Sequence, residues 1–244
     1  MKNGIELEKL LDSTETDYLD FKMKWHDNNA ELLRDILCMA NSLSDSPDRY
    51  IVIGVKEDSD NKVKTFFDIS GDEHRKSSED LITLCREYIT VLPELEVITE
   101  KHKDRESEKQ IDIIKISPQR RDLPYVSYKD KRLDKKGILR NVVYSRTGSD
   151  NTPWNESCDK SVIEELFSRK KGEDLSAIDR FSMYLDDFQN WRHVNGSEDT
   201  YYYKGNYKFK IIRYKADDQM YQKVNELESY HNLLTDVGLS KEYW

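Results

Sequence analysis

Apolar and polar positions follow two periods along this chain. Ile5, Leu7, Leu10 and Leu11 recur at helical spacing, which predicts a short amphipathic helix before Asp12-Ser13-Thr14 breaks it. Residues 18–24 change to a strand pattern, with Tyr18 and Phe21 apolar and Asp20, Lys22 and Lys24 on one side. Asp27-Asn28-Asn29 is a helix-start signal. Ala30, Leu32, Leu33, Ile36, Leu37, Met39 and Ala40 then form a helical apolar face that Asn41-Ser42 ends. Residues 50–55 are apolar on both parities, the pattern of a central strand covered on both faces. A polar turn over 56–62 leads to a strand over 63–69. Ser77 and Asp80 resemble a capping box at the head of a second helix, with Leu81, Ile82, Leu84, Cys85, Tyr88 and Ile89 inward.

Strands are expected at 95–99 and 111–116 around a charged hairpin at 101–109, and Pro118 ends the second of them. Residues 124–128 and 141–146 are further strand candidates, followed by a turn at Gly148-Ser149-Asp150-Asn151. A boundary falls near 153–159. Beyond it the pattern predicts helices at 160–169, 175–191 and 217–234, with a hairpin of 201–203 and 207–214 over Gly205-Asn206. The expected fold is α/β (α+β): a mixed sheet flanked by helices in a domain over 1–155, and a smaller appended α/β module over 159–244 that can serve to recruit a protein partner. The end of the chain at Trp244, just after a polar turn, is read either as a tail docked on the body or as a cut.

Composition refines this picture. Mean hydropathy is low at −0.87, but 11% aromatics and 15 tyrosines are foreign to disordered chains. No apolar run is long enough to cross a membrane and the start lacks a signal-peptide pattern, so a cytoplasmic protein is expected. The three cysteines are far apart, with no CxxC, and read as reduced thiols rather than a zinc site. The net charge of −9 argues against a general nucleic-acid coat. Residues 119–146 run against that balance, with Arg120, Arg121, Lys129, Lys131, Arg132, Lys135, Lys136, Arg140 and Arg146 opposed by three aspartates.

Phosphate-loop, dinucleotide, zincin and nucleophile-elbow motifs are absent from the sequence. An acidic group remains. Glu15 precedes the first strand, Asp20 lies in it, and Glu57-Asp58 follow the central strand. If the two strands are neighbours, these carboxylates meet at one sheet edge, where hard oxygen ligands bind Mg²⁺ or Mn²⁺ and activate water toward a phosphodiester. Equally, acids at strand ends are commonly just solvated. Lys22 and Lys24 share the face of Asp20 and either hold a phosphate there or pair with the acids. Arg146 either contacts a nucleic-acid backbone or pairs with a carboxylate. Gly148 and Ser149 offer backbone N–H groups to an anion or simply make the turn. Tyr201, Tyr202, Tyr203 and Tyr207 either stack bases or divide between core and surface.

Four blocks, in order, resemble the Schlafen-type AlbA-like domain family. Residues 15–22 (ETDYLDFK) are similar to its opening E-x-x-x-x-E-F-K, with Asp20 for the second Glu. Residues 35–42 (DILCMANS) resemble its helix ending in A-x-A-N-[ST]. Residues 50–58 (YIVIGVKED) resemble its G-x-x-x-I-G-V-x-D strand, and residues 143–151 (VYSRTGSDN) its V-Y-x-R-x-G-S motif. The resemblance implies a small nucleic-acid-handling α/β module. In some members it implies a metal-dependent endoribonuclease acting on structured RNA such as tRNA, with catalytic and metal-binding acids matching Glu15, Asp20 and Asp58. Lys22, Lys24, Arg120, Arg121, Lys131, Arg132, Arg140 and Arg146 are the expected nucleic-acid contacts, RNA before DNA. Because a single lobe offers one wall of a channel, the family also implies a homodimer. One departure is the connection Leu43-Ser44-Asp45-Ser46-Pro47-Asp48-Arg49, longer and more polar than the family's Gly-Gly. Two rival readings accompany the enzyme: a non-catalytic nucleic-acid- or nucleotide-binding sensor, and a regulatory subunit in prokaryotic defence.

Overall fold

The computed structural model describes residues 7–58, 60–104, 107–133, 136–194, 199–206 and 208–213. They fall into two compact units, Met1–Lys171 and Gly172–Trp244. The first runs α1 (Leu7–Asp12), β1 (Leu19–Lys22), α2 (Asn29–Ala40), β2 (Arg49–Ile53), β3 (Val55–Glu57), β4 (Lys64–Phe66), α3 (Ser78–Tyr88), β5 (Glu94–Asp104), β6 (Ser107–Ser117), β7 (Lys131–Leu133), β8 (Lys136–Ile138), β9 (Arg146–Thr147), β10 (Asp150–Asn151) and α4 (Lys160–Lys170). This is the α+β class that the patterning predicts.

The central sheet has the order β1-β2-β6-β5, with β1 and β2 parallel and the other pairs antiparallel. Its mixed character follows from the connections: α2 carries the chain back between β1 and β2, as a parallel pair requires, whereas β5 and β6 form one long hairpin. The two faces of the sheet bury different sets of residues, because successive side chains alternate. Ile51, Ile53, Ile114 and Ile116 pack with α2 and α3 on one side. Leu19, Phe21, Val52, Val55, Ile111 and Ile113 pack with α1 on the other. The β2 strand is therefore covered on both faces, as its double-parity apolar pattern predicts.

Caps set the helix ends. The Asn28 side chain accepts from the Ala30 backbone N–H at the head of α2, and Ser77 and Asp80 complete a reciprocal capping box at α3. At the end of β2, Gly54 takes a φ of +100°, where a Cβ would come within 2.9 Å of the Phe67 carbonyl oxygen. Glycine thus lets the strand turn away into the β3–β4 ladder.

Several elements differ from the sequence pattern. The charged hairpin at 101–109 is regular ladder out to the Asp104–Ser107 pair. Residues 124–128 form no strand beyond a single bridge from Ser127 to Ile89. Of 141–146, only Arg146 enters one. The short β7–β8 hairpin was not foreseen. The first compact unit also extends past the boundary read near 153–159: Leu166 of α4 is buried with the α2–α3 core.

The second unit holds α5 (Ala177–Asp186) and an antiparallel sheet of β11 (Trp191–Val194), β12 (Asp199–Tyr203) and β13 (Lys210–Arg213). The hairpin over Gly205-Asn206 is present. The helix read over 175–191 stops at Asp186 and gives way to β11. Tyr203 stacks on Tyr184 at 4.2 Å between ring centroids, and Phe209 meets Tyr184 edge-on at 4.9 Å. Tyr203 thus packs, partly buried, against the core of Tyr184 and Phe209, and Tyr201 stacks on His193. Tyr207 and the helix expected over 217–234 lie outside the described residues. Among the described residues no helix is long and apolar enough to cross a membrane.

Candidate functional site

The first strand places Leu19 and Phe21 in one core and turns Asp20 and Lys22 to the opposite face, under α2. Asp20 is 2% exposed. Its carboxylate is held by Lys22 Nζ at 2.6 Å and by Arg146 Nη2 at 3.2 Å. Arg146 is equally buried; it also donates to the Thr16 carbonyl at 2.7 Å and to Asn151 Oδ1 at 2.9 Å. Lys22 lies 3.5 Å from Asp35 of α2, which also meets His26 Nε2 at 2.9 Å and accepts from Asn151 Nδ2 at 2.9 Å. Strand β1, helix α2 and the β9–β10 turn are thereby joined through one buried network of alternating charge.

The electrostatics follow from this alternation. Burial opposes ionisation of Asp35, but Lys22 and His26 outweigh it and hold the carboxyl well below its usual range. Burial likewise opposes the charge on Lys22, and Asp35 and Asp20 override it, raising its pKa. Glu15 behaves in the opposite way: burial and the nearby Asp20 charge raise it. Its carboxylate accepts the Phe21 N–H at 3.1 Å, while its own N–H points at Glu57 Oε1, 3.4 Å away. Glu57 in turn lies 3.3 Å from Lys64 and 3.5 Å from Lys62.

Of the three acids expected to converge, Glu15 and Asp20 are neighbours, and Glu57 joins them. Asp58 does something else. It is exposed and accepts the backbone N–H groups of Asp60 and Asn61, bonds that lower its pKa. Among the described residues no group of three or more His, Cys, Asp or Glu side chains is arranged to hold a metal ion. The chemistry explains why: the Asp20 oxygens face two cationic side chains, where Mg²⁺ or Mn²⁺ would need them open. A divalent ion at Asp20 would first need Lys22 and Arg146 to release its carboxylate.

The expected nucleic-acid contacts divide. Lys22 and Arg146 are spent on the interior network. Lys24 is exposed beside Asp27. Arg121 is exposed, and Arg120 donates to the Arg169 carbonyl at the end of α4. Lys131 lies over the Tyr88 ring at 5.2 Å, as does Lys129 at 4.7 Å. Arg132 and Arg140 are exposed and, with Lys129 and Tyr128, rim an open depression of about 570 Å³.

The Schlafen, AlbA_2 family profile matches residues 15–155, more than half of the chain. The chain belongs to this family. No curated protein and no solved structure matches it. Membership indicates nucleic-acid-related work and sets the four motif blocks in a common context: three of them feed the Asp20–Asp35–Arg146 network.

The AlbA_2 domain also contains partners that the sequence reading passed over. Asp35 sits on the apolar face of α2, and a lone carboxylate among Leu, Ile and Cys is itself a signal of a buried partner. Asn41, read only as the helix end, donates to the Tyr125 and Tyr144 carbonyls at 2.8 Å each and accepts from the Tyr125 N–H at 2.7 Å. Asn41 thus holds the backbone of Tyr125, while Ser127 and Tyr128 bond to the Tyr88 carbonyl at the end of α3. The cysteines are free; burial pushes the Cys85 thiol up to about 12 and leaves it inert.

Proposed function

We propose that the AlbA_2 domain is a nucleic-acid-binding module that takes the phosphate backbone on the exposed basic rim formed by Lys129, Arg132 and Arg140, and that the acid network under α2 holds the fold. The observation that carries this reading is the division of charge by burial. Lys22, Arg146, Asp20 and Asp35 neutralise one another inside. Arg132 and Arg140 are exposed, Lys129 is half-buried, and the acids they meet are exposed too: Arg132 lies 3.0 Å from Asp130 and Lys129 3.5 Å from Glu87. Exposed pairs of this kind are worth little, so phosphates can replace the acids. Tyr128, 45% exposed beside them, offers an aromatic face to an unpaired base.

The test is binding of a structured RNA and a DNA duplex of equal length over a range of salt, for the full chain and for the variant Lys129→Glu, Arg132→Glu, Arg140→Glu. Loss of affinity with a flatter salt dependence is expected, RNA being the better ligand. An unchanged slope would place the surface elsewhere.

Metal-dependent RNA cleavage is the second reading. It is favoured by the nearness of Asp20 to Glu15, whose N–H in turn faces Glu57 Oε1 at 3.4 Å, and requires Lys22 and Arg146 to release Asp20. Cleavage of tRNA in Mn²⁺ that disappears in Asp20→Asn would establish it over the binding module. A homodimer would set two basic rims across one groove. Light scattering is expected to give about twice the chain mass of 29.0 kDa.

A further inference from the structure

The sheet of the second unit has one face turned to α5 and one turned away from it. Its strands lie in the order β11-β12-β13, with β12 in the middle. Successive side chains alternate between the faces. Trp191 and Tyr203, partners across β11 and β12, pack against the Tyr184–Phe209 core under α5. One residue further along each strand, Arg192 pairs with Tyr202, and Tyr202 pairs in turn with Lys210. Arg192, Tyr202 and Lys210 therefore form a single row across the face turned away from α5. The neighbouring row on that face is Val194, Thr200 and Ile212, so neither row contains an acid.

The charges of this unit are sorted in the same way. Its acids whose side chains are described, Glu173, Asp174, Asp179, Asp186 and Asp187, all lie in α5 or in the residues flanking it. Asp187 is engaged by the Tyr203 hydroxyl at 2.7 Å and by Asn190 Nδ2 at 2.8 Å. Arg192 is exposed and Lys210 half-buried. Among the described residues neither side chain has an ion-pair or hydrogen-bond partner. The three consecutive tyrosines divide too. Tyr203 stacks on Tyr184 and Tyr201 on His193. The half-buried Tyr202 ring meets no other ring and no cation among the described residues.

An aromatic side chain in the central strand thus stands between two unpaired cations on an acid-free face. Any base can stack on such a ring, and cations beside it reach the phosphates that flank that base. Neighbouring strands lie about 4.8 Å apart, which sets Arg192 and Lys210 roughly 10 Å from each other across the ring. Long, flexible side chains close that gap to one nucleotide. A duplex keeps its bases stacked inside and leaves the ring idle, and an acidic peptide would use the cations alone. We propose that this face binds single-stranded nucleic acid, one base stacking on Tyr202 and the phosphates on either side of it resting on Arg192 and Lys210.

The site shares no residue with the basic rim of the first unit, and the test keeps the two apart. Full-length chain carrying Lys129→Gln, Arg132→Gln and Arg140→Gln is titrated by fluorescence anisotropy over a range of salt. The probes are a short oligouridylate, an RNA duplex of equal length and a polyglutamate peptide of equal charge. The oligouridylate is expected to bind more tightly than either of the others. Tyr202→Ala should weaken it about tenfold, and Tyr202→Phe should not. Replacing Arg192 and Lys210 together by Gln should lower the slope of log affinity against log salt by about 1.4, two phosphates at roughly 0.7 each. Should Tyr202→Ala fail to fold, Tyr202→Leu, which keeps bulk without an aromatic plane, takes its place. Equal binding of the duplex overturns the proposal, and equal binding of the peptide overturns it in favour of an acidic protein partner. Oligouridylate binding that the Tyr202 and double Gln variants leave intact overturns it as well. If the rim substitutions alone abolish oligouridylate binding, this proposal falls while the reading of the rim stands.

Discussion

Two charged regions of the first unit look alike on paper and behave oppositely in three dimensions. The segment around Asp20, Lys22 and Asp35 and the segment around Lys129, Arg132 and Arg140 are both dense in ionisable residues. In the first the charges face inward and form ion pairs with one another at 2.6–3.5 Å. In the second they face solvent and meet their acids only across exposed pairs. What separates a charge that shapes the fold from one left for recognition is desolvation. A buried ion must have its partner inside the molecule, whereas an exposed one exchanges partners freely.

The largest effect should come from breaking the buried side. Arg146→Met removes a cation from Asp20 and a donor from Thr16 and Asn151, and is expected to cost about 3–5 kcal/mol in urea unfolding. A loss below about 1 kcal/mol would mean that water reaches Asp20, and the contrast would fail. On the exposed side, the triple reversal at Lys129, Arg132 and Arg140 should leave the urea midpoint in place. It should reduce the salt slope of binding by about 2–3, at roughly 0.7–0.9 per phosphate contact.

Acid titration probes the network more finely. The carboxyl of Asp35 titrates lower in the folded chain than in the unfolded one. Its contribution to stability is therefore full above the unfolded value of about 4 and is lost as pH falls below that. Asp35→Asn should flatten this acid limb of a stability–pH curve, and a limb of unchanged steepness would assign it to other acids. Glu15 has the opposite sign. Its pKa is raised from 4.5, so its contribution is present below that value and declines as pH rises through the folded one. Glu15→Gln should make the chain slightly more stable near neutrality, the smallest of these effects. A Tm that falls instead would mean that its ionised form is needed.

The sequence made the framework legible where local signals and tertiary demands agree. Helix α2 has its cap at Asn28 and a full apolar face, and β2 has apolar residues on both parities. The signal fails where a segment is held from a distance. Residues 124–128 look like a strand, yet Asn41 occupies the backbone of Tyr125 and the end of α3 takes the Tyr128 N–H, so no ladder forms. The β7 and β8 strands are three residues each, too short for a period to show. At the acid cluster, Glu15 and Asp20 were legible from position alone. Asp58 was displaced from it because neighbouring backbone N–H groups in its own turn compete for the carboxylate, and Glu57, one residue earlier, points the other way. Asp35 was hidden because a helical pattern read for apolar positions passes over the one polar residue that shares their face.

The pairing of Asp20 with Arg146 also sets a schedule for the newborn chain. Arg146 donates to Thr16, 130 residues earlier, and Asn41 waits for a carbonyl 103 residues further on. At about 5–20 residues per second on the ribosome, Thr16 is made roughly 6–26 s before its partner exists. During that interval β1 and α2 carry their carboxylates without the guanidinium that balances them, so a stalled or shortened product ending before the β9–β10 turn would present an unfinished, charged interior to chaperones and proteases.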